Sequence, residues 1–219
     1  MKSIRHLKKL ALVLTAVVGL SACGEKDGSI IKVGATVGPH AQVVEAVAKE
    51  AAKQGLNVEV IEFSDYVTPN AALSDGSIDI NSYQHQPFLD NFNNSHDAQL
   101  VSIGQSILMR MGLYSNKYRS LQELPNNARI AIPNDPTNGG RGLLLLADAG
   151  LIELKQGVGH KAALTDITKN AKSFEFVEVD AAQLPRTLDD VDAAAITMNY
   201  VMSSGLDPKK QSIYLEAKD

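Results

Sequence analysis

The 219-residue sequence contains one cysteine and no tryptophan, and phenylalanine and tyrosine together supply 5% of the chain. A single cysteine cannot form a disulfide within the chain, so a scaffold held together by disulfides is excluded. Because aromatic rings are scarce, their position along the chain is informative. Three of the eleven, Tyr66, Tyr83 and Phe88, fall next to a predicted loop or helix start.

Motifs of nucleophilic, phosphate-binding and zinc-dependent enzymes are also missing. The sequence contains no G-x-S-x-G, no P-loop and no H-E-x-x-H. His40, His85, His96 and His160 lack the close mutual spacing that a metal site requires. We therefore predict a protein that is not an enzyme and that needs no metal or other cofactor.

The charge balance gives no reason to expect a nucleic acid as partner. The formal net charge is −4, from 21 basic and 25 acidic residues. Hydrophobic residues make up 44% of the chain and charged residues 21%, which is ordinary for a globular protein with a real core.

The first 22 residues have the pattern of an export signal. A basic start precedes an uncharged run of 11 residues, 10–20, too short to span about 30 Å of hydrocarbon comfortably. The only cysteine, Cys23, follows in the sequence LSACG, which is typical of a bacterial lipobox. We predict lipidation at Cys23 and a polar tether over 23–29; the alternative is an unpaired thiol beside a cleavage site.

From residue 30 onward, strand-like and helix-like segments alternate. Strand patterns cover 30–36, 57–63, 78–81, 100–108, 129–132, 174–179 and 193–197. Helix patterns cover 41–53, 68–73, 87–94, 139–149, 183–188 and 199–204. Alternating βα units predict an α/β fold with largely parallel sheets.

The series of elements breaks near residues 111–120, which predicts two α/β lobes over 30–110 and 111–219. Ligands of open α/β sheets lie beyond the carboxyl ends of the strands. With two lobes, the ligand is expected in the cleft between them.

One loop, IPNDPTNGG, leads into a helix with a single charged residue, Arg141, ahead of four leucines. Asn138 is placed to cap the helix, and Gly139 and Gly140 would let a ligand approach the backbone. Because a cation is unfavourable at a helix start unless an anion joins it, Arg141 suggests a clamp for a ligand carboxylate. A solvated surface arginine is the alternative.

A second loop, NSYQHQPF, lies between a short strand and a short helix. Its side chains Tyr83, His85 and Phe88, together with Tyr66, would wall a small apolar pocket suited to a thioether. Core packing is the alternative for each ring on its own.

A third segment, ITMNY, ends a buried strand with Asn199. This asparagine could accept a hydrogen bond from a ligand ammonium. It could equally cap the following helix without touching a ligand.

In combination, these motifs resemble the NlpA/MetQ family of methionine-binding lipoproteins. The resemblance runs from the signal to the last residue and rests on LSACG, GATVGPHAQVVEAV, NSYQHQPFLD, IAIPNDPTNGGRGLLLL, DAAQLPRTLDD and ITMNY. It implies a two-lobed periplasmic-binding-protein fold of type II with methionine in the cleft.

The resemblance also implies a role for each candidate residue. Tyr66, Tyr83, His85 and Phe88 match the pocket for the methionine side chain. Asn138 and Arg141 match the carboxylate end, and Asn199 matches a further polar contact. Members of the family continue for about fifty residues beyond residue 219, and that segment returns to the first lobe and brings another ligand-contacting asparagine. We therefore expect the first lobe to be incomplete, and residues 23–219 alone to be poorly soluble or partly unfolded and to bind methionine weakly or not at all.

The predicted function is that of a lipid-anchored receptor on the bacterial cell envelope, facing the periplasm or cell exterior. It would capture L-methionine or a close analogue and deliver it to the permease and ATPase of an ABC importer. Two alternatives remain: a receptor for another amino acid, D-methionine or a methionine-containing dipeptide, and an envelope lipoprotein of the same fold without a transport role.

Overall fold

The computed structural model describes residues 30–217. The export signal predicted over 1–22, the lipidation site Cys23 and the tether over 23–29 lie outside the described residues.

The first lobe is built on a parallel sheet of three strands in the order β2-β1-β3. The strands are β1 (Ile31–Thr36), β2 (Val58–Phe63) and β3 (Ile80–Ser82). The helices are α1 (Pro39–Ala52), α2 (Thr68–Ser74) and α3 (Gln86–His96). Each strand is followed by a helix, as a parallel sheet with crossover connections requires.

Helix α1 begins sharply because two residues at its start allow little else. Gly38 has a φ of 89°, which favours glycine, and Pro39 occupies the first turn, where its missing N–H is no loss. The helix then buries Ala41 and Val44 against Val33 of β1. This contact closes the first βα unit and directs residues 36–40 to the sheet edge.

The second lobe contains a mixed sheet of five strands in the order β10-β4-β9-β5-β8. The strands are β4 (Met111–Tyr114), β5 (Arg129–Pro133), β8 (Glu175–Val179), β9 (Ala193–Thr197) and β10 (Ser212–Leu215). β5 pairs in parallel with β8 and β9, whereas β4 is antiparallel to β9 and β10. A small antiparallel pair, β6 (Glu153–Leu154) and β7 (Ile167–Lys169), lies apart.

The helices of the second lobe are α4 (Pro136–Asp148), α5 (Leu184–Thr187), α6 (Met198–Ser203) and α7 (Pro208–Gln211). Short 3₁₀ turns occur at Leu121–Glu123, Gly159–Lys161 and Leu164–Asp166. The sheet is covered on both faces: Leu143 and Leu146 of α4 belong to one buried cluster, and Leu184 and Val201 belong to the other. This burial fixes α4 and α6 at the ends of β5 and β9.

Two expectations from the sequence were wrong. The segment 100–108, predicted as a strand, forms no strand, and its apolar residues Val101, Ile103 and Leu108 are 76%, 77% and 72% exposed. Alternating apolar residues predict a strand only where a neighbour supplies hydrogen bonds, and none pairs with this segment within residues 30–217. The second sheet is mixed rather than largely parallel, because β4, which the sequence pattern missed, inserts antiparallel beside β9.

All strands of the first sheet end by Ser82, and all strands of the second lie between Met111 and Leu215. The boundary at residues 110 and 111 stays a prediction. Within the described residues, no helix is both long and apolar enough to cross a bilayer.

Candidate functional site

All seven predicted ligand-binding residues lie shortly after the carboxyl end of a strand. Tyr66 follows β2, and Tyr83 follows β3 directly; His85 and Phe88 stand at the start of α3. Asn138 and Arg141 lie in α4 after β5, and Asn199 lies in α6 after β9. The structure brings residues of both lobes together at this edge, where α/β proteins bind their ligands.

Three aromatic rings of the first lobe form one cluster. The ring centroids of Tyr66 and Tyr83 are 6.0 Å apart, those of Tyr83 and Phe88 are 5.9 Å apart, and those of Tyr66 and Phe88 are 6.2 Å apart. The two pairs with Phe88 meet edge to face, a favourable arrangement of aromatic rings. Tyr200 of the second lobe extends the cluster, at 4.8 Å from Tyr66.

The Tyr66 hydroxyl connects the two lobes. It donates to Asn199 Oδ1 at 2.5 Å and shares a hydrogen bond with Thr197 Oγ1 at 2.8 Å. The Tyr200 hydroxyl makes a weaker return contact, donating to the Ser64 carbonyl at 3.3 Å. Burial raises the pKa of Tyr66 far above its usual value, so this hydroxyl stays protonated and able to donate.

His85 makes the second connection between the lobes. The Phe88 amide donates to His85 Nδ1 at 3.2 Å, so the ring proton is on Nε2, which donates to Asn138 Oδ1 at 3.0 Å. Asn138 in turn donates through Nδ2 to both carboxylate oxygens of Asp135, at 3.2 and 3.0 Å. Burial lowers the pKa of His85 and so favours the neutral ring. The hydrogen bond to Asn138 acts in the opposite direction and is the smaller effect.

The predicted cap of α4 was wrong by three residues. The helix begins at Pro136, and Asp135 caps it by accepting from the Asn138 amide at 2.8 Å. Proline suits the first helical position because its φ is preset and it has no N–H to satisfy, and the preceding aspartate is as good a cap as asparagine. The Asn138 side chain is thereby released to contact His85. Arg141 consequently lies in the second turn of α4 rather than in the first.

The two glycines of α4 accommodate the protein's own backbone rather than a ligand. A Cβ on Gly139 would lie 2.8 Å from the Pro133 carbonyl oxygen. A Cβ on Gly140 would collide with the His160 carbonyl oxygen and lie 3.0 Å from that of Ala162. The loop 159–162 therefore packs directly on α4, and it brings the exposed His160 ring to 6.4 Å from His85.

Arg141 already holds a carboxylate, supplied by Glu216 after β10. Arg141 Nε donates to Glu216 Oε1 and Nη2 donates to Oε2, each at 2.6 Å. Nη2 also donates to the Met109 carbonyl at 2.8 Å. The two side chains are 14% and 21% exposed, so the ion pair is largely withdrawn from water. The sequence indicated a carboxylate clamp, and the chain itself provides one carboxylate.

Four buried polar atoms have no hydrogen-bond partner within residues 30–217: Thr36 Oγ1, His40 Nδ1, Tyr83 Oη and Asn199 Nδ2. Two of them belong to predicted site residues, and Thr36 ends β1 at the same edge of the first sheet. Buried polar groups in folded proteins nearly always have a partner, so Tyr83 Oη and Asn199 Nδ2 are candidates for contacts to a bound molecule.

Sequence reasoning missed several residues of this region. Thr197 and Tyr200 lie in the segment ITMNY with Asn199. Their polar and aromatic side chains at a strand end are the signal that could have identified them. Thr36 and His40 flank Gly38-Pro39, the break after β1, which offered the same signal. Glu216 carried none, because its role depends on a partner 75 positions away.

No group of three or more histidine, cysteine, aspartate or glutamate side chains in the described part of the chain could hold a metal ion. Two surface pockets lie away from the aromatic cluster. One, of about 520 Å³, is lined by residues of α1 and β2; the other, of about 240 Å³, lies beside the start of α4 and includes Asn134, Gly139 and Lys161. The convergence of side chains, rather than an open pocket, identifies the candidate site.

The chain is similar to methionine-binding lipoproteins over nearly its whole length. A Vibrio cholerae protein described as a probable D-methionine-binding lipoprotein MetQ is 45% identical, over 99% of this chain and 81% of its own. The corresponding Escherichia coli K12 protein is 45% identical, over 92% of this chain and 76% of its own.

Solved structures agree with these relatives. A crystal structure of the methionine-binding protein MetQ, 45% identical, superposes with a TM-score of 0.85 over 88% of this chain and 80% of that chain. A Burkholderia cenocepacia nutrient-binding protein bound to methionine, 50% identical, superposes with a TM-score of 0.81 over 86% of this chain and 80% of that one. The predicted two-lobed α/β fold is confirmed. The family model for NlpA lipoproteins matches residues 31–219. Because the fold, the relatives and this match agree, the chain belongs to the NlpA lipoprotein family.

Proposed function

We propose that this protein binds methionine in the cleft between its lobes and presents it to an ABC importer. The observation that carries the proposal is the meeting of three aromatic rings and His85 from the first lobe with Asn199 and Asn138 from the second. The similarity to methionine-binding proteins supports the same ligand.

The aromatic cluster suits the methionine side chain. Tyr66, Tyr83 and Phe88 present ring faces and edges within about 6 Å of one another. A thioether sulfur near such rings gains about 0.3–1.5 kcal/mol per contact. The unpartnered Tyr83 hydroxyl adds a polar end to this wall, and burial raises its pKa, so it remains a donor.

The polar side of the site suits the carboxylate of an amino acid. Asn199 Oδ1 already accepts from Tyr66, which leaves its Nδ2 as a buried donor without a partner within residues 30–217. Together with the remaining N–H groups of Arg141, this amide would bind the ligand carboxylate. Asn199 is therefore proposed as a donor to the carboxylate, rather than as an acceptor from the ammonium group.

We propose no covalent chemistry at this site. The relatives are described as binding proteins, and the titratable group at its centre, His85, is held neutral by burial and engaged through both ring nitrogens.

The wider role follows from the family and the N-terminal sequence. A relative from Coxiella burnetii is described as the periplasmic substrate-binding protein of an ABC transporter. We propose the same for this protein, with a permease and ATPase complex as partner and with lobes over 30–110 and 111–219. Acylation at Cys23 would hold the protein on the envelope membrane, each buried CH₂ group contributing about 0.8 kcal/mol.

Isothermal titration calorimetry tests the proposal directly. The protein extended by a family-like C-terminal segment should bind L- or D-methionine, and it should bind norleucine, which replaces sulfur by CH₂, less tightly. Phe88→Leu should weaken methionine binding and reduce the preference over norleucine, because a ring edge facing the sulfur is lost.

Phe92→Leu is the matched control. Phe92 lies in the same helix but stacks on His96, with the two ring centroids 4.3 Å apart. This substitution should lower the melting temperature and leave the affinity of the folded protein unchanged. If neither L-methionine nor D-methionine binds, the proposed function is contradicted. If Phe88→Leu and Phe92→Leu bind methionine with equal affinity, the aromatic pocket is contradicted.

A further inference from the structure

We propose that Glu216 is a positioning residue that holds Arg141 so that the two N–H groups of its Nη1 remain available to a ligand carboxylate. The inference rests on the proposed function, because it assigns Arg141 to the ligand. It adds to the ligand-recognising residues one that directly follows the last strand of the second sheet.

The donors of Arg141 divide into two sets. A guanidinium has five N–H groups. Nε and one N–H of Nη2 bind the two oxygens of Glu216, and the other N–H of Nη2 binds the Met109 carbonyl. Both N–H groups of Nη1 make no hydrogen bond within residues 30–217. The guanidinium is therefore fixed through Nε and Nη2, and the two N–H groups of Nη1 remain for a ligand.

Glu216 is itself fixed by the backbone on both sides. Its amide donates to the Met111 carbonyl at 3.0 Å, and its Oε2 accepts from the Met111 amide at 2.6 Å. Its carbonyl accepts from Arg110 Nη1 at 2.9 Å. Because these bonds hold the Glu216 carboxylate at the start of β4, it fixes the orientation of Arg141. It does not move freely in competition with a ligand carboxylate for the guanidinium.

The position of Arg141 relative to the aromatic cluster connects this ion pair to the ligand. Asn138 and Arg141 are three residues apart in α4, a spacing that puts two side chains on one face of a helix. Asn138 accepts from His85 Nε2 at 3.0 Å, so Arg141 lies one helical turn from the residue that contacts the first lobe beside Phe88.

The ion pair also compensates the charge of Arg141. Arg141 and Glu216 together are neutral, so the pair does not attract a ligand carboxylate through net charge. The direction of the remaining N–H groups then governs recognition, because a donor group that is held in place loses less entropy on binding.

The test compares affinities for methionine and for methioninol, in which an alcohol replaces the carboxylate. Glu216→Gln removes the negative charge that binds Arg141. Glu216→Asp keeps that charge but shortens the side chain by one CH₂ group. Both variants should weaken methionine binding about tenfold or more, the usual effect of losing a charge-assisted contact. Both should bind methioninol with nearly unchanged affinity, so the ratio of the two affinities falls.

Glu153→Gln is the matched control, since it removes an ion pair of the same 2.6 Å length, to Lys169, that is exposed and lies in the separate β6–β7 pair. It should change neither affinity. Thermal unfolding establishes that each variant is folded, and Glu216→Asp alone decides the question by the same outcomes if Glu216→Gln does not fold.

Three results would overturn the proposal: unchanged methionine affinity in the Glu216 variants, tighter binding, which would make Glu216 a competitor, or equal weakening of both ligands, which would make its role purely structural. The Nε–H signal of Arg141 in the NMR spectrum of the ligand-free protein provides an independent measurement. If that signal shows the ion pair but the wild type binds no methionine, the proposed function fails; if the wild type binds and the ratio is constant, only the role of Glu216 fails.

Discussion

Replacing Tyr66 by phenylalanine should separate the contribution of one hydroxyl to the contact between the lobes from that of the ring. The hydroxyl makes hydrogen bonds to Asn199 at 2.5 Å and to Thr197 at 2.8 Å, both across the cleft. Each such bond contributes about 0.5–1.5 kcal/mol net, so two give about 1–3 kcal/mol. The loss should fall in the upper half of that range, because the Asn199 amide, 1% exposed, then has neither of its groups paired within residues 30–217.

Equilibrium unfolding in urea measures this loss as a lower midpoint at an unchanged slope. Two matched substitutions calibrate it. Tyr200→Phe removes one weaker bond, to the Ser64 carbonyl at 3.3 Å, and should lose less. Tyr118→Phe removes a hydroxyl that makes no hydrogen bond in the described part of the chain, and should change the free energy of unfolding by no more than about 0.5 kcal/mol. If Tyr66→Phe is as stable as Tyr118→Phe, the hydroxyl does not hold the lobes together.

Two further predictions concern stability. Burial lowers the pKa of both His40 and His85 from the ordinary 6.5, so each favours the folded state only when neutral; the free energy of unfolding should be full above about pH 6.5 and fall as the pH drops below it towards the folded pKa values. Urea unfolding at pH 7.5 and 5.5 measures this loss, and an equal loss in His40→Gln/His85→Gln would refute the assignment. In α4, Gly140→Ala should lower the free energy of unfolding by about 1–3 kcal/mol, because its Cβ meets the His160 carbonyl. Gly142→Ala, whose Cβ would first meet Ala195 at 3.4 Å, should be neutral or stabilising by up to about 1 kcal/mol, and a reversed order of the two variants would contradict the close packing of 159–162 on α4.

The edge of the sheets that carries the site could be predicted from the sequence because its signals are local. A buried strand such as Ala193–Thr197 and the polar residue that follows it are neighbours in the chain, and their order alone places Asn199 at the carboxyl end. The same reasoning located Tyr83 after β3. It failed for 100–108, where the apolar alternation was real but the partner strand that would make it a strand is not found among the described residues.

Helix starts show a finer limit of local reasoning. Asp135 and Asn138 are both good caps and lie three residues apart, so composition alone does not decide between them. Pro136 decides, because its fixed φ begins the helix one residue after Asp135. That shift of three residues changes the chemistry of the site: Asn138, instead of closing the helix, carries a hydrogen bond from Asp135 to His85.

Arg141 joins the local and the distant parts of the site. A lone cation in α4, ahead of buried leucines, needs an anion, and the sequence indicated a carboxylate without saying whose. The chain supplies the first one through Glu216, directly after β10, a strand that lies on the far side of β4 and β9 from the strand leading into α4. In the proposed site, a ligand carboxylate would be bound by the two N–H groups of Nη1 that Glu216 leaves free. The stability of the second sheet and the proposed affinity for an amino acid would thereby be linked through one side chain, so we expect substitutions at the β4–β10 junction to affect binding without touching the ligand.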